Sequence, residues 1–334
     1  MRNSRPLYRA VLRDAFYRTL KNKRLWPFGF LAGILFSGSA YDLIARFWNA
    51  IVGGGFDSAY QGNLIRLATR DFSALGGFSL VNFHWWFVPA ALTILAVLAF
   101  LVWLAVVSEG ILLGSFAAEE EHKKRGLGAL WRTGLGSFRP LLIINLLLAI
   151  VTAAAVALAA LPLYPAAQNG NNWFVAGAIA AYVILVPAAY LAITAALFTA
   201  IEVVRFGESL RQGFRSARRV IAQNWVIIAE TSALVLLIDA AVAVAVAIVG
   251  AVVSVPFFVL FIAALASRSA LFFWLILGLF VAIVTGAIIA VAAAVVTFHY
   301  AVWTLLYERL RKGDVTAKVA RVYNLFREAL RPGR

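Results

Sequence analysis

Cysteine is absent from this 334-residue chain, which excludes disulfides, thiolate metal sites and cysteine nucleophiles. Histidine is scarce: His84, His122 and His299 are the only three, and they fall in segments of different depth. No HExxH zinc site can form from them, and no metal is expected. Acidic residues number 15 against 30 Lys and Arg, and charged residues make up only 13% of the chain, where soluble domains carry about 25%. No Walker A sequence, Rossmann glycine pattern or GxSxG elbow occurs. Gly77-Phe78-Ser79 with His299 would resemble a serine protease pair only if the two met, and the topology below sets them on different sides of the bilayer. No catalytic residue and no cofactor are expected.

What remains is apolar. Hydrophobic residues make up 63% of the chain and the mean hydropathy is +0.89. Six runs reach the roughly 20 residues that a spanning helix needs: Leu25 to Trp48, Trp86 to Ala118, Leu141 to Leu163, Trp173 to Val204, Trp225 to Val255 and Leu271 to Tyr307. Helix is the expected spanning form, because the runs lack the alternation of barrel strands and backbone groups in hydrocarbon must be satisfied internally. Trp26, Trp48, Trp85, Trp86, Trp173 and Trp225 mark span ends, where amphipathic rings favour the headgroup zone; Trp103 is mid-span. The stretch from Val226 to Phe298 would hold three spans if Pro256 began a new one, but two overlong helices joined near Ala266 to Ala270 agree better with the charge pattern.

Charge sets the orientation. Of the 30 Lys and Arg, 26 lie in Met1 to Arg24, Glu119 to Arg139, Arg205 to Asn224 and Glu308 to Arg334; Arg46, Arg66, Arg70 and Arg268 are the other four. The positive-inside rule then puts both termini in the cytoplasm of a bacterial inner membrane. A net charge of +15 in such flanks points to anionic phospholipid as the partner and not to nucleic acid.

The basic segments look like copies of one another. Leu210, Phe214, Arg215, Ala217 and Asn224 match Tyr8, Leu12, Arg13, Ala15 and Asn22 at an offset of 202, and Leu127, Trp131, Arg132 and Gly134 match the first four at an offset of 83. The implied unit is basic amphipathic helix, span, outer turn, span. Used three times, it gives an all-α polytopic fold of three hairpins with boundaries 1–118, 119–204 and 205–312 and a tail at 313–334. In that tail Asp314 can cap a helix with Val315, Val319, Val322, Phe326 and Leu330 on one face and Lys318, Arg321, Arg327 and Arg331 outside it. Leu127, Leu130, Trp131, Leu135 and Phe138 form a similar stripe. Arg132, Arg215, Arg218 and Arg321 are the candidate lipid-headgroup ligands.

Together with Tyr307-Glu308-Arg309-Leu310-Arg311 at the end of the last span, this unit resembles a group of bacterial six-span proteins. The group includes stand-alone integral membrane proteins and the membrane domain that precedes some glycerophosphoryl diester phosphodiesterases. The resemblance covers nearly the whole chain and implies a fold and a compartment. It carries over no catalytic residue.

Small residues at four-residue spacing, Gly278, Ala282, Gly286, Ala290 and Ala294 in the sixth span among them, let helices approach closely in lipid. They serve either neighbouring helices or a seam between subunits of a homo-oligomer or larger membrane complex. Ionisable residues inside spans are costly unless paired. Asp42 and Arg46, one turn apart, form the expected structural ion pair. Glu109, Glu230, Asp239 and His299 fall in the inner half or near the middle, and convergence would make them an intramembrane polar cluster. The expected function is a non-enzymatic, lipid-interacting, membrane-organising or accessory subunit. The alternative is a transporter or channel whose proton or cation relay is that cluster.

Overall fold

The computed structural model describes residues 7–35, 87–120, 126–160 and 172–312. Among the described residues every regular element is a helix: α1 (Leu7–Lys21), a 3-10 turn (Lys23–Leu25), α2 (Trp26–Leu35), α3 (Phe87–Glu120), α4 (Leu127–Gly136), α5 (Phe138–Ala160), α6 (Asn172–Phe206), α7 (Leu210–Ala266) and α8 (Ala270–Arg311). Five of them, α3, α5, α6, α7 and α8, are long and apolar enough to cross a membrane. Their limits lie within a few residues of the apolar runs, except that α7 begins at Leu210, well before the run at Trp225, and continues to Ala266. The first expected span is described only as far as Leu35. The Asp42 and Arg46 pair, the loop from Asn49 to His84 and the tail with Arg321 lie outside the described residues.

The chain divides into two compact units. One comprises Met1–Ile34, Ala105–Leu141 and Leu197–Arg334, the other Leu35–Leu104 and Leu142–Ala196. In the second unit the helices carry apolar residues outward, with Leu92, Leu95 and Phe100 on α3 and Leu146 and Ile150 on α5 all more than half exposed. Their few hydroxyls bond back along their own helix: Thr93 donates to the Pro89 carbonyl at 2.7 Å, Thr152 to Leu148 at 2.8 Å and Thr194 to Tyr190 at 3.0 Å. Such a surface offers hydrocarbon no unsatisfied polar group.

The first unit holds the long pair α7 and α8, which pack on each other. The turn between them is Ser267 to Ser269, where the expected break falls, and Pro256 lies inside α7 without ending it. Arg268 takes a positive φ of 52° in the turn, and the Ser269 hydroxyl accepts from the Phe272 amide at 3.3 Å to cap α8. Near this end Phe257, Ala264 and Ile276 are buried between the two helices, with Phe257 against Phe280 at 5.0 Å and Phe261 against Phe273 at 5.5 Å. The expected small-residue contact is made further along α8: Gly29 and Gly33 of α2 lie against Ala293, Val296 and Thr297, whereas Gly278 and Gly286 have no described atom within 4 Å of an added methyl.

Both asparagines aligned at the offset of 202 sit at helix breaks. Asn22 (φ −105°, ψ 53°) separates α1 from the 3-10 turn, and Asn224 (φ −128°, ψ 24°) kinks α7 between its basic start and its apolar remainder. At the first break the Trp26 indole donates to the Thr19 carbonyl at 3.0 Å, and at the second the Asn224 amide donates to the Val220 carbonyl at 3.0 Å. Each side chain donates to a carbonyl of the helix that precedes the break. Asn224→Ala is expected to lower the thermal midpoint of the detergent-solubilised protein through a loss of about 1 kcal/mol; an unchanged midpoint contradicts that role.

Candidate functional site: a basic end built around exchanged ion pairs

In the first unit, Ala105 to Gly114 of α3 and Thr297 to Glu308 of α8 are buried without interruption. A helix buried on all faces needs neighbours all round it, and the short basic helices supply part of them. α1 packs on α8 and buries Val11 and Ala15. Asp14 of α1 pairs with Arg309 at 2.8 Å, and Arg18 donates to the Phe116 carbonyl of α3 at 3.4 Å. The start of α7 lies on the end of α6, with Gly213 against Thr199, Glu202 and Val203. α4 lies on α3, where a methyl on Gly134 would come within 2.6 Å of the Val107 carbonyl oxygen. The expected stripe on α4 is partly realised: Leu130 is buried and Trp131 meets Phe28 at 6.3 Å, but Leu135 is 41% exposed. Gly134 takes the contact instead, because only a residue without a side chain allows so close a crossing.

At the ends of α6 and α8 the same spacing occurs twice, Glu202-Val203-Val204-Arg205 and Glu308-Arg309-Leu310-Arg311. The partners are exchanged between helices. Arg205 pairs with Glu308 at 2.5 Å and Arg311 with Glu202 at 3.1 Å. The Glu202 side chain is fully buried and that of Glu308 is 2% exposed. Tyr307 donates a short hydrogen bond to the other Glu202 oxygen. Phe198 packs against Tyr307 at 4.6 Å and against Trp303 at 6.1 Å, and the Arg311 guanidinium lies 3.6 Å from the Phe206 ring centre. Arg311 also reaches Glu208, at 3.5 Å. Sequence reasoning placed Arg205, Glu308 and Arg311 in the basic segments and did not consider Glu202. The duplicated Glu-x-x-Arg was the signal that could have found them.

Of the four expected intramembrane residues, two meet. His299 of α8 and Asp239 of α7 are 2.8 Å apart, with side chains 6% and 12% exposed. Glu109 is buried on α3 within electrostatic reach of the Tyr300 hydroxyl. Glu230 lies nine residues before Asp239, about 13 Å along the helix.

Arg132, Arg215 and Arg218 are exposed as expected. The latter two lie three residues apart on the basic start of α7, on adjoining parts of its surface. Arg215 lines an open groove of about 370 Å³ with Glu208, Gln212, Ser216 and Arg219, while Arg218 shares a face with the exposed Phe214. Exposed aromatic residues also interleave with basic ones on α1, where Phe16 and Tyr17 are 59% and 63% exposed.

No family model, curated protein or solved structure matches the chain.

Gly134→Val is expected to cost about 1–3 kcal/mol by overpacking the α3 crossing, read as a lowered unfolding midpoint in detergent, whereas Gly136→Val, where an added methyl meets nothing within 4 Å, leaves it nearly unchanged. Equal effects at the two positions would contradict the close crossing.

Proposed function

We propose that the protein is a non-enzymatic, membrane-organising subunit of the bacterial inner membrane, with its basic end at the cytoplasmic leaflet, where α1, α4 and the start of α7 hold anionic phospholipid. The observation that carries this reading is the uninterrupted burial of Ala105 to Gly114 of α3 and Thr297 to Glu308 of α8, in a unit whose basic helices carry Arg9, Arg13, Arg132, Arg211, Arg215, Arg218 and Arg219 on their exposed faces. Guanidinium groups pointing outward in several directions cannot be solvated by hydrocarbon. A layer bearing them belongs with headgroups and water, and the exposed aromatic residues between them suit the same zone. In this reading the three basic helices are equivalent members of a threefold repeat, each packed on a spanning helix, with α1 on the last of them.

Helix length supports the same depth. From Asp239 to Ala266, the end of α7, is 266 − 239 = 27 residues, or about 40 Å of helix, close to the 40–45 Å of a bilayer with its headgroups, with Arg268 in the turn just beyond. With Arg268 at one headgroup boundary, Asp239 and His299 lie at the other, and the Glu202 and Glu308 pairs lie beyond it. The spanning parts of α7 and α8 then contain no ionised group, as an inert anchor requires.

The contact between Asp239 and His299 favours a second reading, a proton or cation relay entered from the cytoplasmic side. The two are separable. In native mass spectrometry, changing Arg132, Arg215 and Arg218 together to Gln is expected to strip most retained anionic lipid; unchanged retention removes the basis of the scaffold reading. In proteoliposomes, no cation or proton flux above the background of empty vesicles is expected, and a flux abolished by Asp239→Asn would establish the relay in its place.

A further inference from the structure

We propose that the groove lined by Glu208, Gln212, Arg215, Ser216 and Arg219 is a selective site for an anionic phosphodiester whose headgroup carries hydroxyls, as in phosphatidylglycerol. This rests on the lipid-binding reading above and adds to it a site and a choice among headgroups. Arg215 and Arg219 are four residues apart on one side of α7, both are exposed, and neither makes an ion pair with a described residue. Their guanidinium groups present planar forks suited to phosphate oxygens.

Glu208 decides the class of ligand. A carboxylate in the wall of an anion site repels a bare phosphate but accepts hydrogen bonds from hydroxyl groups attached to one. Two guanidinium groups and one carboxylate leave the groove a net charge of 2 − 1 = +1. That balance matches the single negative charge of a phosphodiester, whereas a phosphate monoester carries about −1.5 to −2 near neutral pH.

The acidic wall is also fixed in place. Gly207, at a φ of +67°, turns the chain between α6 and α7 just before Glu208, a backbone state that a side chain would disfavour. One Glu208 oxygen is 3.5 Å from Arg311 and the other accepts from Ser216 at 3.4 Å. Both contacts are long, so the carboxylate keeps capacity to accept from a ligand hydroxyl. Behind it, Arg311 is held by the fully buried Glu202. The groove is thus lined by the start of α7 and the turn before it, with Arg311 of α8 steadying from outside the anion that discriminates. Its volume of about 370 Å³ is at the small end of the roughly 300–1,000 Å³ typical of ligand sites, enough for a headgroup whose acyl chains stay outside.

The test is competitive retention in native mass spectrometry by the full-length protein, offered equal amounts of phosphatidylglycerol, phosphatidic acid and phosphatidylethanolamine. The expected result is preferential retention of phosphatidylglycerol over phosphatidic acid by about fivefold or more, the scale of one or two hydrogen bonds. Arg215→Gln with Arg219→Gln should abolish that preference, Glu208→Gln should shift it toward phosphatidic acid, and Arg268→Gln, in the exposed turn at the far end of α7, should leave it intact. Phosphatidic acid bound as well as or better than phosphatidylglycerol by the unaltered protein overturns the assignment, because simple charge attraction then accounts for binding. So does a loss of preference in Arg268→Gln as large as in the groove variant. In either case, general retention of anionic lipid with its loss in the triple Arg variant leaves the broader reading standing. Displacement of phosphatidylglycerol by millimolar inorganic phosphate would assign the groove to a soluble phosphate and also overturn the proposal. Unchanged thermal midpoints confirm that these surface variants remain folded.

Discussion

Two glutamates and two arginines, traded between the ends of α6 and α8, are the constraint on which the basic end of the molecule depends. A carboxylate with no exposed surface, such as Glu202, is tolerated only when a cation and further hydrogen bonds replace its lost water. Arg311 and Tyr307 do this for Glu202, and Arg205 supplies the cation for Glu308. Because each helix provides one acid and one base to the other, neither can slide or rotate without leaving two buried charges unpaired. Hydrophobic packing alone would allow such movement, since the aliphatic faces of α6 and α8 are interchangeable in kind.

Fixing α8 in this way fixes its surroundings. The buried run from Thr297 to Glu308 needs cover, and α1 provides part of it through Val11, Ala15 and the ion pair of Asp14 with Arg309. The turn at Gly207 places the start of α7 on α6, so that Gly213 and Ala217 are buried while Arg215 and Arg219 face outward. Arg311 joins the two levels, since it binds a buried carboxylate on one side and the groove carboxylate on the other. Headgroup recognition at the surface would therefore share a residue with the pairing that organises the interior.

The sequence announced the five long apolar helices well because their signal is redundant. About twenty apolar residues in a row allow little freedom of interpretation, and α5 at Phe138–Ala160 lies three residues from the run expected at Leu141 to Leu163. The break after Ala266 followed from counting charges, and both asparagines found by internal comparison lie at helix breaks. Finer features depended on contacts that one strand of sequence does not encode. Leu135 was expected to be part of a packed stripe, yet a glycine next to it made the closer crossing and left it exposed. Asp239 found His299 sixty positions away, but Glu230, on the same helix, belongs to another level. The pairing of Glu202 and Glu308 escaped notice because each has an arginine three residues on, which reads as a local pair. Their true partners are on the other helix, about a hundred positions distant.

The most direct measurement is a double-mutant cycle on Arg205 and Glu308, with stability followed by denaturant unfolding in detergent for Arg205→Gln, Glu308→Gln and the two combined. Each single change strands a buried charge and is predicted to cost about 3–5 kcal/mol, while the combined change costs clearly less than the sum. Single losses of a few tenths of a kcal/mol, or losses that simply add, would contradict the account: the ends of α6 and α8 would then be held by packing and not by exchanged charge.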